Sequence, residues 1–160
     1  MSSVAPEGAG AHRRLAATVR ESLRELAVHL SLLNHQVGAR LELKDADIDC
    51  LDLVNRLGPL SPTALAKLAG MHPATMTGIL DRLEKGGWVA RERDPQDRRA
   101  VRVRALKDRV GELLGAYSGM TTAMNEICAE YSVGELEVIA DFIRRSARAG
   151  QASAEELREV

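Results

Sequence analysis

The sequence predicts a mainly α-helical chain that carries one small β-hairpin. Three observations point there. Apolar residues recur at three- and four-residue spacing over most of the 160 residues, which is the period of a single helical face. Alternation of the kind that marks a strand is confined to one short segment, about residues 88–104, on either side of a turn sequence. Two short helical patterns, each opened by a capping residue and a proline, stand just before that hairpin. Helix, tight break, helix, hairpin is the order of a winged helix-turn-helix.

Taken in order, about the first ten residues are small, polar and Gly/Pro-bearing, and a flexible N-terminus is expected for residues 1–10. From about residue 12 to 37, Leu15, Val19, Leu23, Leu26, Leu30, Leu33 and Val37 form one apolar stripe over several helical turns, uninterrupted until Gly38. One small core cannot cover so long a stripe. Either it packs within its own subunit, or part of it meets a second chain as a helical dimer seam. Residues 44–56 form the next helix, with Asp45 and Asp47 in the first turn, where carboxylates suit the dipole. Ile48, Leu51, Val54 and Leu57 make its inner face. Gly58-Pro59 ends it, and Leu60 is placed for a one-residue sheet contact.

Ser61 offers an N-cap with Pro62 at the first helical position; Leu65 and Leu68 point inward, and Gly70 closes this helix. His72 and Pro73 open the second, which runs to about Lys85 and buries Met76, Ile79, Leu80 and Leu83. Ala74, Thr75, Thr77, Gly78, Asp81 and Arg82 stay outside. Small and hydroxylated residues there permit close approach to base edges and phosphates, or they are simply helix surface. Gly86-Gly87 stops the helix, since paired glycines can adopt left-handed conformations. Trp88 to Arg91 forms a strand, Asp94-Pro95-Gln96-Asp97 a turn, and Ala100 to Arg104 a second strand. Val101 and Val103 face inward, the arginines outward, and Arg98 and Arg99 lie near the tip.

A second long helix is expected over about residues 107–130, lined by Val110, Leu113, Leu114, Tyr117, Met120, Met124, Ile127 and Tyr131. Gly111, Gly115 and Gly119 repeat within it, as tolerated glycines or as a flat face for another helix. Ser132-Val133-Gly134-Glu135 is a capping box that starts a last helix. Leu136, Ile139, Ile143 and Ala147 form its inner face, Phe142 flanks it, and Gly150 ends it, leaving residues 151–160 as a tail in which Ser153 is placed to cap a short turn.

The net charge of −1 does not announce nucleic-acid binding. Its distribution is more informative. Between Arg82 and Arg104 stand eight basic residues, Arg82, Lys85, Arg91, Arg93, Arg98, Arg99, Arg102 and Arg104, against four acidic ones, Glu84, Glu92, Asp94 and Asp97. A positive face on a near-neutral protein suits a duplex, and it equally suits a solvated hairpin. Cys50 and Cys128 lie far apart with no CxxC, so neither a disulfide framework nor a zinc site is expected. No metal and no cofactor are expected, and His29 and His35, six apart, do not share a helical face. No stretch is apolar enough to cross a membrane, and no signal-peptide core is present, so the expected location is cytoplasmic. An enzyme is not expected: there is no phosphate loop, no nucleophile–histidine arrangement and no ligand cluster, and Asp45-Asp47 and Glu155-Glu156 serve as capping or solvated charge.

The order of elements, together with the stretch Ile79-Leu80-Asp81-Arg82-Leu83-Glu84-Lys85-Gly86-Gly87-Trp88-Val89 followed by Arg93-Asp94-Pro95-Gln96-Asp97-Arg98-Arg99, resembles the MarR family of transcriptional regulators over about residues 12–148. The resemblance implies a helical dimerisation region at residues 11–40 and 107–150 and a winged helix-turn-helix DNA-binding domain at residues 44–105. It implies a homodimer on a pseudo-palindromic operator in double-stranded DNA, acting as a repressor released by a small aromatic or lipophilic effector. The candidate DNA-binding residues are Ser61, Thr63, Pro73, Ala74, Thr75, Thr77, Gly78 and Arg82, with Asp97, Arg98 and Arg99 on the wing. The family's acidic–x–arginine element falls on Asp97 and Arg99, making Arg99 the minor-groove arginine, positioned by Asp97.

Two departures stand out: Gly78 where many members carry a long polar residue, and Leu106 where the next helix usually begins with threonine. Redox-sensing members use a cysteine near the start of the first helix, which this chain lacks. The implied effector pocket draws on His29, Leu33, Val37, Ile48, Leu51 and Tyr117. The alternative function is a winged-helix protein–protein module without an operator of its own.

Overall fold

The computed structural model describes residues 7–97 and 99–157. The chain divides into two compact units, Met1–Ile48 and Asp49–Val160, and each is described by itself.

The first unit is dominated by α1 (Glu7–Leu41) and holds the start of α2 (Asp45–Leu57). Helix α1 begins within the segment expected to be flexible and runs through Gly38, which does not end it. A Cβ on Gly38 would stand 2.6 Å from the Leu43 carbonyl oxygen, so glycine there lets the connecting loop close against the helix. The Leu43 N–H donates to the Gly38 carbonyl at 2.9 Å. Glu42, at φ 58°, turns the chain out of the helix. The carboxylate of Asp47 accepts from the Lys44 N–H at 3.1 Å, satisfying a donor at the start of α2. Leu15, Val19, Leu26 and Leu30, members of the predicted stripe, remain exposed in the single chain.

The second unit contains the rest of α2, then α3 (Pro62–Ala69), α4 (Pro73–Lys85), β1 (Val89–Arg93), β2 (Val101–Ala105), α5 (Lys107–Ala116), α6 (Ser118–Ala129) and α7 (Val133–Glu156). Its core gathers Leu51, Val54, Leu65, Met76, Leu80, Leu83, Trp88, Val89 and Val103. The buried Cys50 thiol lies 3.8 Å from the sulfur of Met76, so a residue of α2 packs directly on α4. Strands β1 and β2 pair antiparallel, Val89 opposite Ala105 and Arg93 opposite Val101. Leu60 adds the expected one-residue bridge: Val103 donates to its carbonyl at 2.7 Å and accepts from its N–H at 3.2 Å.

Several inward-facing expectations are corrected. Leu57, Leu68 and Val101 are 54%, 48% and 39% exposed. Val101 lies opposite Arg93 at the far end of the ladder, where the hairpin has run past the core. Leu57 and Leu68 close their helices, and burial passes to Val54 and to Leu65 with Ala66.

The expected helix over residues 107–130 is two helices. Tyr117, at φ −92° and ψ 2°, leaves helical geometry between α5 and α6, with the weak helix formers Gly115, Ser118 and Gly119 around it. The start of α5 forms despite Leu106, which provides no side-chain cap. A Cβ on Gly111, Gly115 or Gly119 would meet nothing within 4 Å, so no described part of this chain packs against them. Helix α7 opens with the predicted capping box, Ser132 and Glu135 exchanging hydrogen bonds. It continues through Gly150 to Glu156, because the alanines, glutamates and Gln151 that follow favour helix. Ser153 therefore lies inside the helix.

Candidate nucleic-acid interface

Local chemistry defines the two helices that carry the interface. Ser61 Oγ accepts the Ala64 N–H at 3.1 Å and caps α3, worth about 1 kcal/mol for such a contact. Gly70, at φ 64°, ends α3 in the left-handed conformation and donates its N–H back to the last turn. His72 then caps α4, its Nδ1 accepting from the Ala74 N–H at 3.2 Å. Two cap–proline pairs separated by one left-handed glycine hold the turn between the helices.

The outer surface of α4 is shallow. Pro73, Ala74, Thr75 and Thr77 are exposed and Gly78 is half-buried, while Met76, Ile79, Leu80 and Leu83 anchor the opposite side. The Thr77 hydroxyl donates to the Pro73 carbonyl at 3.0 Å, so toward a ligand it offers an acceptor and a methyl group. Arg82 reaches one turn back, its Nη1 donating to the Gly78 carbonyl at 3.2 Å. Ser61 and Thr63 stand at the N-terminal end of α3.

On the wing, Asp97 Oδ1 accepts the backbone N–H of Arg99 at 2.9 Å. Asp97 therefore shapes the chain that carries Arg99 and leaves the guanidinium in solvent. Asp94 folds the other side of the turn. Its Oδ1 accepts from the Gln96 N–H at 2.8 Å, and its Oδ2 accepts from Arg102 Nε. The Gln96 N–H first, and then Arg102, hold the Asp94 carboxyl below the usual aspartate range. Arg98, the other predicted wing arginine, lies outside the described residues.

Charge on this face is sorted by pairing. Arg91 does not point outward as expected. It shares the inner side of the hairpin with Val89 and Val103, and its Nη2 and Nη1 meet Asp81 and Glu84 of α4, each at 2.7 Å. Arg104 pairs with Glu92 at 2.6 Å, which lowers the pKa of that carboxyl. Among the described residues, the side chains of Arg93 and Arg99 make no ion pair. The unpaired arginines are thus displayed on the wing, while the two acids of α4 share the one guanidinium of Arg91. Sequence periodicity could not reveal the Arg91 bridge. The spacing of Asp81 and Glu84 on one helical face was the available signal.

At the base of the wing the Arg109 guanidinium lies 4.0 Å from the centre of the Trp88 ring and pairs with Glu112. Sequence reasoning missed this contact too.

The predicted effector-pocket residues divide between the two units. In the first, His29 is exposed beside Glu25, Leu33 is half-buried, and Val37 and Ile48 are buried. In the second, Tyr117 is half-buried and Leu51 is 0% exposed. Among the described residues no group of His, Cys, Asp and Glu is placed to hold a metal ion, and no helix is long and apolar enough to cross a membrane.

The sequence pattern of the MarR family matches residues 43–101, which span α2, α3, α4, β1 and the wing turn up to the first residue of β2. An uncharacterized HTH-type transcriptional regulator of Bacillus subtilis, YcgE, is 34% identical over 136 residues, covering 80% of this chain and 88% of its own. The chain belongs to the MarR family. It is a helix-turn-helix transcriptional regulator and not an enzyme. A second B. subtilis protein of related sequence, the HTH-type transcriptional repressor YetL, is 29% identical over 84 residues, about half of each chain (52% and 50%). The MarR-like winged fold also matches a solved structure of a single-site mutant of MepR from S. aureus bound to an oligodeoxyribonucleotide. That match has TM-score 0.57 and 15% identity and covers 82% of this chain and 96% of that one.

Proposed function

We propose that this MarR-family protein binds a pseudo-palindromic operator as a homodimer and represses transcription until a small aromatic or lipophilic molecule releases it. The observation that carries the reading is the arrangement of charge on the winged motif. Arg91 pairs with both carboxylates of α4 and offsets part of their charge, and Arg93 and Arg99 are left to meet phosphate and groove. A narrow minor groove concentrates negative potential and attracts an inserted arginine, and Asp97 sets the backbone that would deliver Arg99 there. On α4, Thr75, Thr77 and Arg82 supply the groups for the major groove, with Ser61 and Thr63 of α3 beside the phosphates. MepR bound to an oligodeoxyribonucleotide, and the repressor name of YetL, support the DNA-binding and repressing parts of the proposal.

Dimerisation through residues 11–40 and 107–150 is supported by the exposed apolar residues of α1 and by Ile139, Phe142 and Ile143 on α7. Residues 44–105 then serve as the DNA-binding domain of each subunit, in the cytoplasm. Two recognition helices must lie about one duplex turn apart to meet both half-sites. An effector that prefers another spacing lowers operator affinity by the difference in its own affinities. Footprinting on the promoter region beside the protein's own gene tests this. Protection of two symmetric half-sites is expected, and no preference over random duplex at physiological salt overturns it.

A further inference from the structure

Reading bases requires a side chain that can reach them, and the outer surface of α4 has few. Pro73, Ala74, Thr75, Thr77 and Gly78 extend no further than a methyl, a hydroxyl or a ring methylene. Asp81 is acidic and is held by Arg91 at 2.7 Å. Lys85 stands in the last helical turn, away from the N-terminal half that a recognition helix presents to base edges. Arg82 is different. Long side chains on a helix lean toward its N-terminus, and Arg82 does so over a full turn, reaching the Gly78 carbonyl at 3.2 Å. Its Nη1 stands 4.0 Å from the point where a Cβ on Gly78 would be. Any side chain longer than a methyl at position 78 would compete for the space the guanidinium occupies.

We propose that Arg82, lying across the gap left by Gly78, is the residue that reads a guanine in each operator half-site, and that Gly78 sets the specificity by admitting it. The inference rests on the DNA-binding reading above. Guanine presents two acceptors, N7 and O6, on its major-groove edge, and the planar guanidinium fork matches that pair. The lean of Arg82 carries the fork from the middle of α4 toward its N-terminal half. There the small residues at 74, 75, 77 and 78 let the backbone approach the groove floor. Gly78 thus costs the helix some intrinsic stability and in return opens a channel for a side chain one turn away.

The test is selection from a random duplex library with the full-length chain, followed by titration of the selected duplex and its single-base variants. Wild type, Arg82→Ala and Gly78→Leu are compared. For wild type, a guanine at one position of each half-site is expected to be preferred about tenfold or more, the size of one good bidentate contact. Arg82→Ala should erase that preference and leave the other positions in place. Gly78→Leu, which keeps Arg82 but fills its space, should erase the same preference. The proposal is overturned if Arg82→Ala weakens all sequences by one factor with every base preference intact, the signature of a phosphate contact. It is also overturned if Gly78→Leu retains the wild-type profile. A wild-type pool without any enriched sequence overturns the proposed function itself, and this inference with it.

Discussion

The glycine pair between α4 and β1 separates two physical demands that a sequence motif merges. Gly87 has φ 72°, and a Cβ there would meet nothing within 4 Å. Its requirement is purely conformational. Placing an L-residue in that region costs about 1–2 kcal/mol, while replacing glycine by alanine recovers roughly 0.4–1 kcal/mol from the unfolded chain. A net loss of about 1 kcal/mol is therefore expected for Gly87→Ala, a fall of about 2–4 °C in Tm for a chain of this size. Gly86 has φ −76°, which any residue adopts, but its Cβ would stand 2.8 Å from Trp88 Cδ1 and 3.1 Å from Nε1. Its requirement is steric, and Gly86→Ala must move the ring that Arg109 covers.

Trp88 is the only tryptophan, so intrinsic emission reports on it alone. The assay is thermal unfolding at fixed protein concentration together with native-state emission. Gly87→Ala should lower Tm and leave native emission unchanged, whereas Gly86→Ala should change native emission. A Gly87→Ala protein as stable as wild type would refute the conformational argument. A reversal of the emission pattern would refute the steric one.

Two further outcomes are expected. The carboxyls of Glu92, Asp94 and Glu135 have their pKa lowered in the folded chain, by Arg104, by the Gln96 N–H and by Ser132 respectively. Their contribution to stability is present above the unfolded pKa of about 4 and is lost as pH falls through the lower folded values. Tm measured against pH should drop more gently on acidification for Asp94→Asn than for wild type; identical slopes would contradict the assignment. Arg91→Ala should weaken duplex binding by roughly fivefold to tenfold at low salt, because Asp81 and Glu84 then face the phosphates uncompensated. The loss should shrink as salt screens them, and a loss that salt does not alter would point to a packing effect instead.

What the sequence revealed follows the range of the interactions involved. The boundaries of α3 and α4 are set by contacts within four residues: Ser61 with Ala64, His72 with Ala74, and Gly70 with the turn before it. Those are legible in residue order. The capping box at Ser132 and the Asp-Pro-Gln-Asp turn are local in the same way. Periodicity identified which residues share a face, but not what covers the face or where cover runs out. That is why periodicity turns Leu57, Leu68 and Val101 inward although they stand exposed.

The break at Tyr117 and the passage of α7 through Gly150 depend on small differences in helix preference summed over a turn, which single-residue signals misplace. Contacts between elements were the least legible. Arg91 joins β1 to α4 across seven and ten residues, and Arg109 meets Trp88 from the following helix. In the wing, the motif located Asp97 and Arg99 but not the means of their coupling, which is a bond to the backbone N–H and not to the guanidinium.

The central claim is that the wing delivers Arg99 to DNA from a face whose surplus charge is positive. It is tested most directly by the affinity of wild type and Arg99→Ala for the footprinted duplex, measured across a salt series. For wild type, log K should fall linearly with log salt, with a slope that counts the phosphates neutralised. Arg99→Ala should bind at least tenfold more weakly at physiological salt while its melting temperature and oligomeric state stay those of wild type. Equal affinity of the two proteins across the series would contradict the account.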